Sequence, residues 1–258
     1  MFHRLRTLWE WRSLVMTLVG RDLLARYKGS TLGVLWSLMH PLVLAAVYTF
    51  AFKFVIQIQI PNYVVFLLAG LLPWLFFASS LGIATTSIVD SGPLVKKVAF
   101  PREALPVASV LAQLVHFALA YFVALPIVAG YYGLLRPGYL ALPLIMALQI
   151  LFTTGFAVAL SVSQVYLRDT RHLLEVGLQV VFWATPIVYS LQNAPEAMRR
   201  TVLVNPLALF MVTYQDLVTA NQLPTLSRVS ILAACGLGSF FLGYGLFHRA
   251  ERRIAEYV

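Results

Sequence analysis

Six stretches of this chain carry almost no charge, and each is long enough to cross a bilayer: Thr31 to Phe52, Tyr63 to Val89, Leu105 to Leu135, Pro137 to Leu167, Val176 to Ala194 and Val229 to Phe247. A hydrocarbon core about 30 Å thick needs roughly 20 helical residues. A water-soluble helix of that length alternates apolar and charged faces, and these runs do not. The pattern predicts an all-α membrane protein of six transmembrane helices. Only 11% of the 258 residues are charged and the mean hydropathy is +0.82. Six spans and their connections then use nearly the whole chain, which leaves no room for a separate catalytic or nucleotide-binding domain.

The formal net charge of +9 would suit nucleic acid, but the placement of the charges points elsewhere. With six spans, 14 of the 19 Lys and Arg fall on the face that carries both termini, among them Arg12, Arg21, Arg26, Lys28, Lys96, Lys97, Arg102, Arg168, Arg171 and Arg249. The opposite face holds Arg136, Arg199, Arg200 and Arg228, while Lys53 lies where it could snorkel from the end of the first span. The positive-inside rule places both termini in the cytoplasm. The basic excess is therefore a topology signal first and an attraction for anionic headgroups second. No nucleic-acid partner is expected.

Residues 1–30 are expected to form an amphipathic interface helix on the cytoplasmic leaflet, and 31–258 the six-helix domain. Phe2, Leu5, Leu8, Trp9, Val15, Met16 and Val19 cluster on one helical face, with Arg6, Glu10, Ser13, Thr17 and Arg21 on the other. Arg12 intrudes on the apolar face. In the connection 90–104, Pro93 suits the first turn of a short helix and Pro101 its end about two turns later, leaving Lys96 and Lys97 on a compact cytoplasmic element. Between the fifth and sixth spans, the run Thr201 to Tyr214 is apolar but too short to cross. It predicts short helices dipping into the outer leaflet within 193–222.

Groups for catalysis are sparse. His3, His40, His116, His172 and His248 are isolated from one another, and all ten acids lie in connections or tails. Neither a metal-ligand spacing nor a G-x-x-x-x-G-K-[ST] phosphate loop occurs. Cys235 is the only cysteine and suits a small packed residue. No catalytic residue, metal site or ion-coupled path is expected, so energy for any active transport must come from another polypeptide. The remaining signal is aromatic. Trp36, His40, Val43, Val47, Phe50 and Phe54 fall on one face of the first span with Tyr48 on another, and Gln179, Phe182, Trp183, Pro186 and Tyr189 form a stripe on the fifth. Such rings either stack on the apolar faces of sugars or anchor the chain in lipid. Gly236, Gly238, Gly243 and Gly245, with Ala234 and Ser239, predict close packing of the sixth span, within one chain or between two.

In its order of motifs the chain resembles the permease subunits of ABC-2 type polysaccharide exporters, the group that moves O-antigen, capsule and teichoic acid. The resemblance is carried by RDLLARYKGSTLGVLWSLMHPLVLAAVYTFAF from Arg21 to Phe52, GLLPWLFFASSL from Gly70 to Leu81, LVKKVAFPREALPV from Leu94 to Val107, YLRDTR from Tyr166 to Arg171 and FWATPIVYS from Phe182 to Ser190. It implies a homodimer in the bacterial inner membrane, with two copies of a separate ABC ATPase underneath that hold the ATP and Mg²⁺. This chain itself would hold no cofactor. The cargo implied is an undecaprenyl-diphosphate-linked polysaccharide such as O-antigen. The channel residues implied are Trp36, His40, Tyr48, Phe50, Phe182, Trp183 and Tyr189. Arg26, Lys28, Lys96 and Lys97 would receive the lipid headgroup, and Lys96, Lys97, Pro101, Arg102 and Glu103 would couple to the ATPase. An ABC-2 permease for teichoic acid, a drug or a small lipid, or a lipid-linked sugar transferase, are the alternative readings.

Overall fold

The computed structural model describes residues 9–29, 35–133, 136–191, 196, 199 and 204–251, without the side chains of 26, 27 and 35–38. Arg26 and Trp36 as side chains, and most of 192–203, lie outside that description. Among the described residues the chain is helical: α1 (Arg12–Tyr27), α2 (Leu35–Thr49), α3 (Tyr63–Asp90), α4 (Gly92–Lys97), α5 (Ala104–Tyr132), α6 (Leu142–Tyr166), α7 (Thr170–Trp183), α8 (Pro206–Gln215) and α9 (Leu226–Ala250). A π-helical stretch, Phe50–Val55, continues α2, and another, Asp216–Ala220, continues α8. A 3₁₀ turn, Pro137–Ala141, leads into α6.

Among the described residues, four helices are long and apolar enough to span a bilayer: α3, α5, α6 with its leading turn, and α9. They match four of the six expected runs to within a few residues. Expected span one is α2 and its π-helical extension, which together run from Leu35 to Val55. Expected span five departs from the sequence reading. Its helix begins at Thr170 rather than Val176 and ends at Trp183 rather than Ala194. Fourteen residues rise about 21 Å, less than the hydrocarbon thickness. The early start follows from Arg171 and Glu175, one turn apart and joined at 3.0 Å, which extend the helix into a polar turn. The early stop follows from Pro186, which disfavours helix in the residue before it.

At the centre lies α3, packed against α2, α5, α6, α7 and α8. Phe76 stacks on Phe117 of α5 at 5.0 Å and Phe77 on Phe152 of α6 at 5.8 Å. Buried Gln149 of α6 donates to the Pro73 carbonyl at 2.8 Å. The sixth expected span, α9, is fixed to α6 by small residues. A Cβ on Gly243 would overlap the Gly155 carbonyl, a Cβ on Gly155 would overlap Ser239, and one on Gly236 would stand 2.9 Å from the Leu148 carbonyl. The Ser239 hydroxyl uses that proximity to donate to the Phe152 carbonyl at 2.7 Å. The packing predicted for Gly236, Gly243 and Ser239 is thus within the chain. Gly238 and Gly245 face away, and a Cβ at either would stand in open space.

A second apolar cluster closes the end of the bundle where the basic residues gather. There Val15, Leu18 and Val19 of α1 pack with Ile88, Ala104, Leu105 and Ala108. The buried face of α1 is therefore rotated from the expected one. Leu18 takes the inner position, and Met16, expected on the apolar side, is 66% exposed. The reason is tertiary: the surface that α5 offers α1 accepts the stripe Val15, Leu18 and Val19, and Asp22, on the same side, lies 3.4 Å from the Ser109 hydroxyl.

Candidate functional site: an aromatic cavity and a basic rim

Where α2, α3 and α7 meet, six rings form a continuous cluster. Tyr48 stacks on Phe182 at 5.7 Å, and Phe182 also meets Trp74 at 5.4 Å and Trp183 at 5.3 Å. Phe52 links Tyr48 and Trp183 at 6.4 and 6.5 Å, and Trp74 reaches Phe77 at 6.2 Å. Beside these rings lies a cavity of about 260 Å³, with Leu44, Trp74, Gln179, Phe182 and Trp183 on its wall. Gln179 supplies an amide to that wall, and Tyr48 a phenol. An aromatic wall with one amide is suited to a ligand that has both apolar C–H faces and hydroxyls.

The chain leaves α7 at Trp183 and stays irregular through Ser190, with Thr185 to Val188 buried. Unpaired carbonyls at membrane depth cost several kcal/mol each, and side chains from elsewhere satisfy them. Gln215 Nε2 donates to Pro186 at 2.9 Å and to Ile187 at 3.4 Å, and the Tyr63 hydroxyl donates to Val188 at 2.9 Å. The N-terminus of α8 is capped by Asn205, which accepts from Leu207 N and donates to the Thr185 hydroxyl at 3.2 Å. Gly70 makes room for this lock, since a Cβ there would stand 2.7 Å from Gln215 Nε2.

The aromatic residues expected from sequence divide accordingly. Tyr48 and Phe182 pair with each other inside the chain. Trp183 is 54% exposed and Phe50 projects outward with Phe54, 6.3 Å away. His40 is exposed. The stripe Gln179–Phe182–Trp183 does not run on to Pro186 and Tyr189, because the helix ends first. Tyr189 instead turns its hydroxyl back to the Trp183 carbonyl at 3.1 Å. Phe52, Trp74 and Phe77 join the cluster without being in the expected set. Trp74, following Pro73 inside an apolar run, is the signal in the sequence that could have found it.

At the basic end, Lys96 and Lys97 close α4 and both are exposed, as is Lys28 after α1. The helix stops at Lys97, short of the two turns expected, because Val98 is already extended. Pro101 is half-buried. Arg102 turns inward and donates to the Glu251 carbonyl at 3.1 Å, beside the Tyr166 hydroxyl, which donates to Ala250. Glu103 is fully buried. Its side chain does not form part of the surface expected to meet an ATPase, because the start of α5 is packed into the cluster that holds α1.

Residues 13–218 match the family described as ABC-2 type transporter. The chain belongs to that family. It is 34% identical over 249 residues to the O-antigen export system permease protein RfbA of Klebsiella pneumoniae, covering 94% of each chain. The protein of that name from Myxococcus xanthus is 32% identical over 262 residues, covering the whole of both. The polysialic acid transport protein KpsM of Escherichia coli is 22% identical over 235 residues, covering 90% of this chain and 91% of that one. In this ABC-2 chain the inward turn of Arg102 makes it a structural tie. Arg102→Ala is expected to cost about 1 kcal/mol and to speed proteolytic cleavage near Ala250, read by mass spectrometry of the fragments. Unchanged cleavage would remove the tie.

Proposed function

We propose that this chain is the membrane permease of an ATP-driven polysaccharide exporter, the cargo being a glycan on a polyprenyl diphosphate lipid. The aromatic cavity between α2, α3 and α7 carries the reading, since its rings offer flat faces to sugar C–H groups and its single amide a hydroxyl partner. Relatives named for O-antigen and polysialic acid transport support the same cargo class. The chain works as a homodimer. Val43, Val47, Phe50 and Phe54 of α2 and its extension, and Leu173, Val176, Val180 and Trp183 of α7, are exposed on the single chain, and a second copy turns these stripes toward a shared conduit. Both termini lie on the cytoplasmic side of an inner membrane. Lys28, Lys96 and Lys97 with Arg26 attract the diphosphate, and the exposed lysines of α4 receive the ATPase. The buried stretch Thr185 to Val188, with α8, forms the outer gate.

The test is export of lipid-linked glycan in vesicles holding this chain and its ATPase. Glycan movement that requires ATP is expected. ATP hydrolysis with a drug or small lipid moved and no glycan would overturn the cargo. Trp183→Ala is expected to leave the melting temperature unchanged and to slow export several-fold, because that ring is half exposed. Phe182→Ala, which deletes a ring that is 8% exposed, should instead lower the amount of folded protein. Lys96→Glu with Lys97→Glu should shift stability by less than about 0.5 kcal/mol while abolishing stimulation of the ATPase by the permease.

A further inference from the structure

A second groove, of about 290 Å³, lies between α3, α5 and the start of α6, at the end of the bundle away from the basic rim. Its wall is almost wholly apolar: Leu72 of α3, Ala124, Leu125 and Ala129 of α5, and Leu142 and Met146 of α6. Gly133, Tyr139 and Val218 complete it at the outer mouth. Arg136 stands there, its guanidinium 4.7 Å from the Tyr132 ring and its Nη1 donating to the Val218 carbonyl at 2.8 Å. Among the described residues its other polar contact is the Thr219 carbonyl. Asp216, the acid of the adjoining π-helical stretch, is engaged by Arg228 instead.

We propose that this groove holds one acyl chain of a phospholipid with a net negative headgroup, its phosphodiester on Arg136. The argument is complementarity at two levels. A narrow apolar cleft between three spanning helices accepts a hydrocarbon tail, and the cation at its mouth, held among the described residues only by neutral groups, two carbonyls and the Tyr132 ring, accepts an anion without displacing a carboxylate. The tail runs inward from the headgroup along Ala129, Leu125 and Ala124, so headgroup and tail are satisfied in one pose. Through Val218 the bound lipid touches the stretch that follows α8.

The experiment uses the full chain in nanodiscs with phosphatidylglycerol bearing a diazirine on one acyl chain, irradiated and mapped by peptide mass spectrometry. Labelling is expected to concentrate on residues 124–146 and to exceed that from the matching phosphatidylcholine probe about fivefold, the effect of one basic residue near an anionic lipid. Arg136→Gln should erase that preference. Ala129→Phe and Ala124→Leu, which fill the cleft from two heights, should each cut groove labelling at least fivefold while labelling elsewhere persists, with the melting temperature as the check on folding. Labelling spread evenly over the lipid-facing helices, or a preference that survives Arg136→Gln, would overturn the proposal. So would displacement of the label by undecaprenyl phosphate but not by unlabelled phosphatidylglycerol, since the occupant would then be a polyprenyl chain.

Discussion

Gly243→Val is expected to prevent the normal docking of α9 and to lower the apparent melting temperature by roughly 6–12 °C, taking about 3 kcal/mol and the scaling for chains of this size. The new Cβ would meet the Gly155 carbonyl, and backbone on both sides cannot move aside as a flexible side chain would. Helix pairs in lipid gain little from excluding water, so their association rests on close van der Waals contact and interhelical hydrogen bonds. Separating the helices loses both, including the bond from Ser239 to Phe152. That bond alone is a minor contributor, since interhelical bonds in membranes average about 0.6 kcal/mol, and Ser239→Ala should be nearly silent. Gly238→Val is the matched control on the same helix, where a Cβ meets nothing within 4 Å. Thermal unfolding followed by size-exclusion chromatography compares the three. Equal losses at Gly238 and Gly243 would show that the contact with α6 is not what limits stability.

Gln215→Leu is expected to abolish export and to cost about 1–3 kcal/mol, the range for a buried polar group left without a partner. The direction of the Gln215 amide is fixed by its neighbours, because the Pro186 and Ile187 carbonyls only accept. Leucine fills a similar volume and donates nothing. Gln215→Glu should be worse, since it places acceptor oxygens against acceptor carbonyls. Tyr63→Phe keeps its ring and loses one bond to Val188, so about 1 kcal/mol and partial export are expected. Melting temperatures of both single variants and the double give the coupling between the two locks. Wild-type export by Gln215→Leu would sever the link between this amide and the irregular segment.

The aromatic site is only partly legible without the fold. Tyr48 and Trp183 stand out because Trp and Tyr are conspicuous in uncharged runs, and Phe182 because it falls on the same stripe as Trp183. Trp74 is conspicuous too, but α3 is apolar all round and nothing in its own sequence says that this ring and Phe77 turn toward α7. Tyr189 belongs to a helical stripe only if α7 continues. The backbone breaks at Trp183, and partners distant in sequence, Asn205 and Gln215, make that break tolerable. At the basic end, Lys96 and Lys97 are readable as exposed from charge alone, whereas Glu103 is enclosed despite its charge.

Bilayer thickness and the cost of moving charge into hydrocarbon act on each stretch of chain locally, so the sequence alone determined that this is a helical membrane protein with its basic connections at one end. Four of the spanning runs could be bounded to within a few residues for the same reason. Which glycines of α9 meet α6, which way α1 rolls, where α7 stops and which side chains cap its loose carbonyls depend on surfaces brought together from distant parts of the chain. Those choices are decided by steric fit and hydrogen-bond satisfaction in three dimensions, and only the tertiary structure contains them.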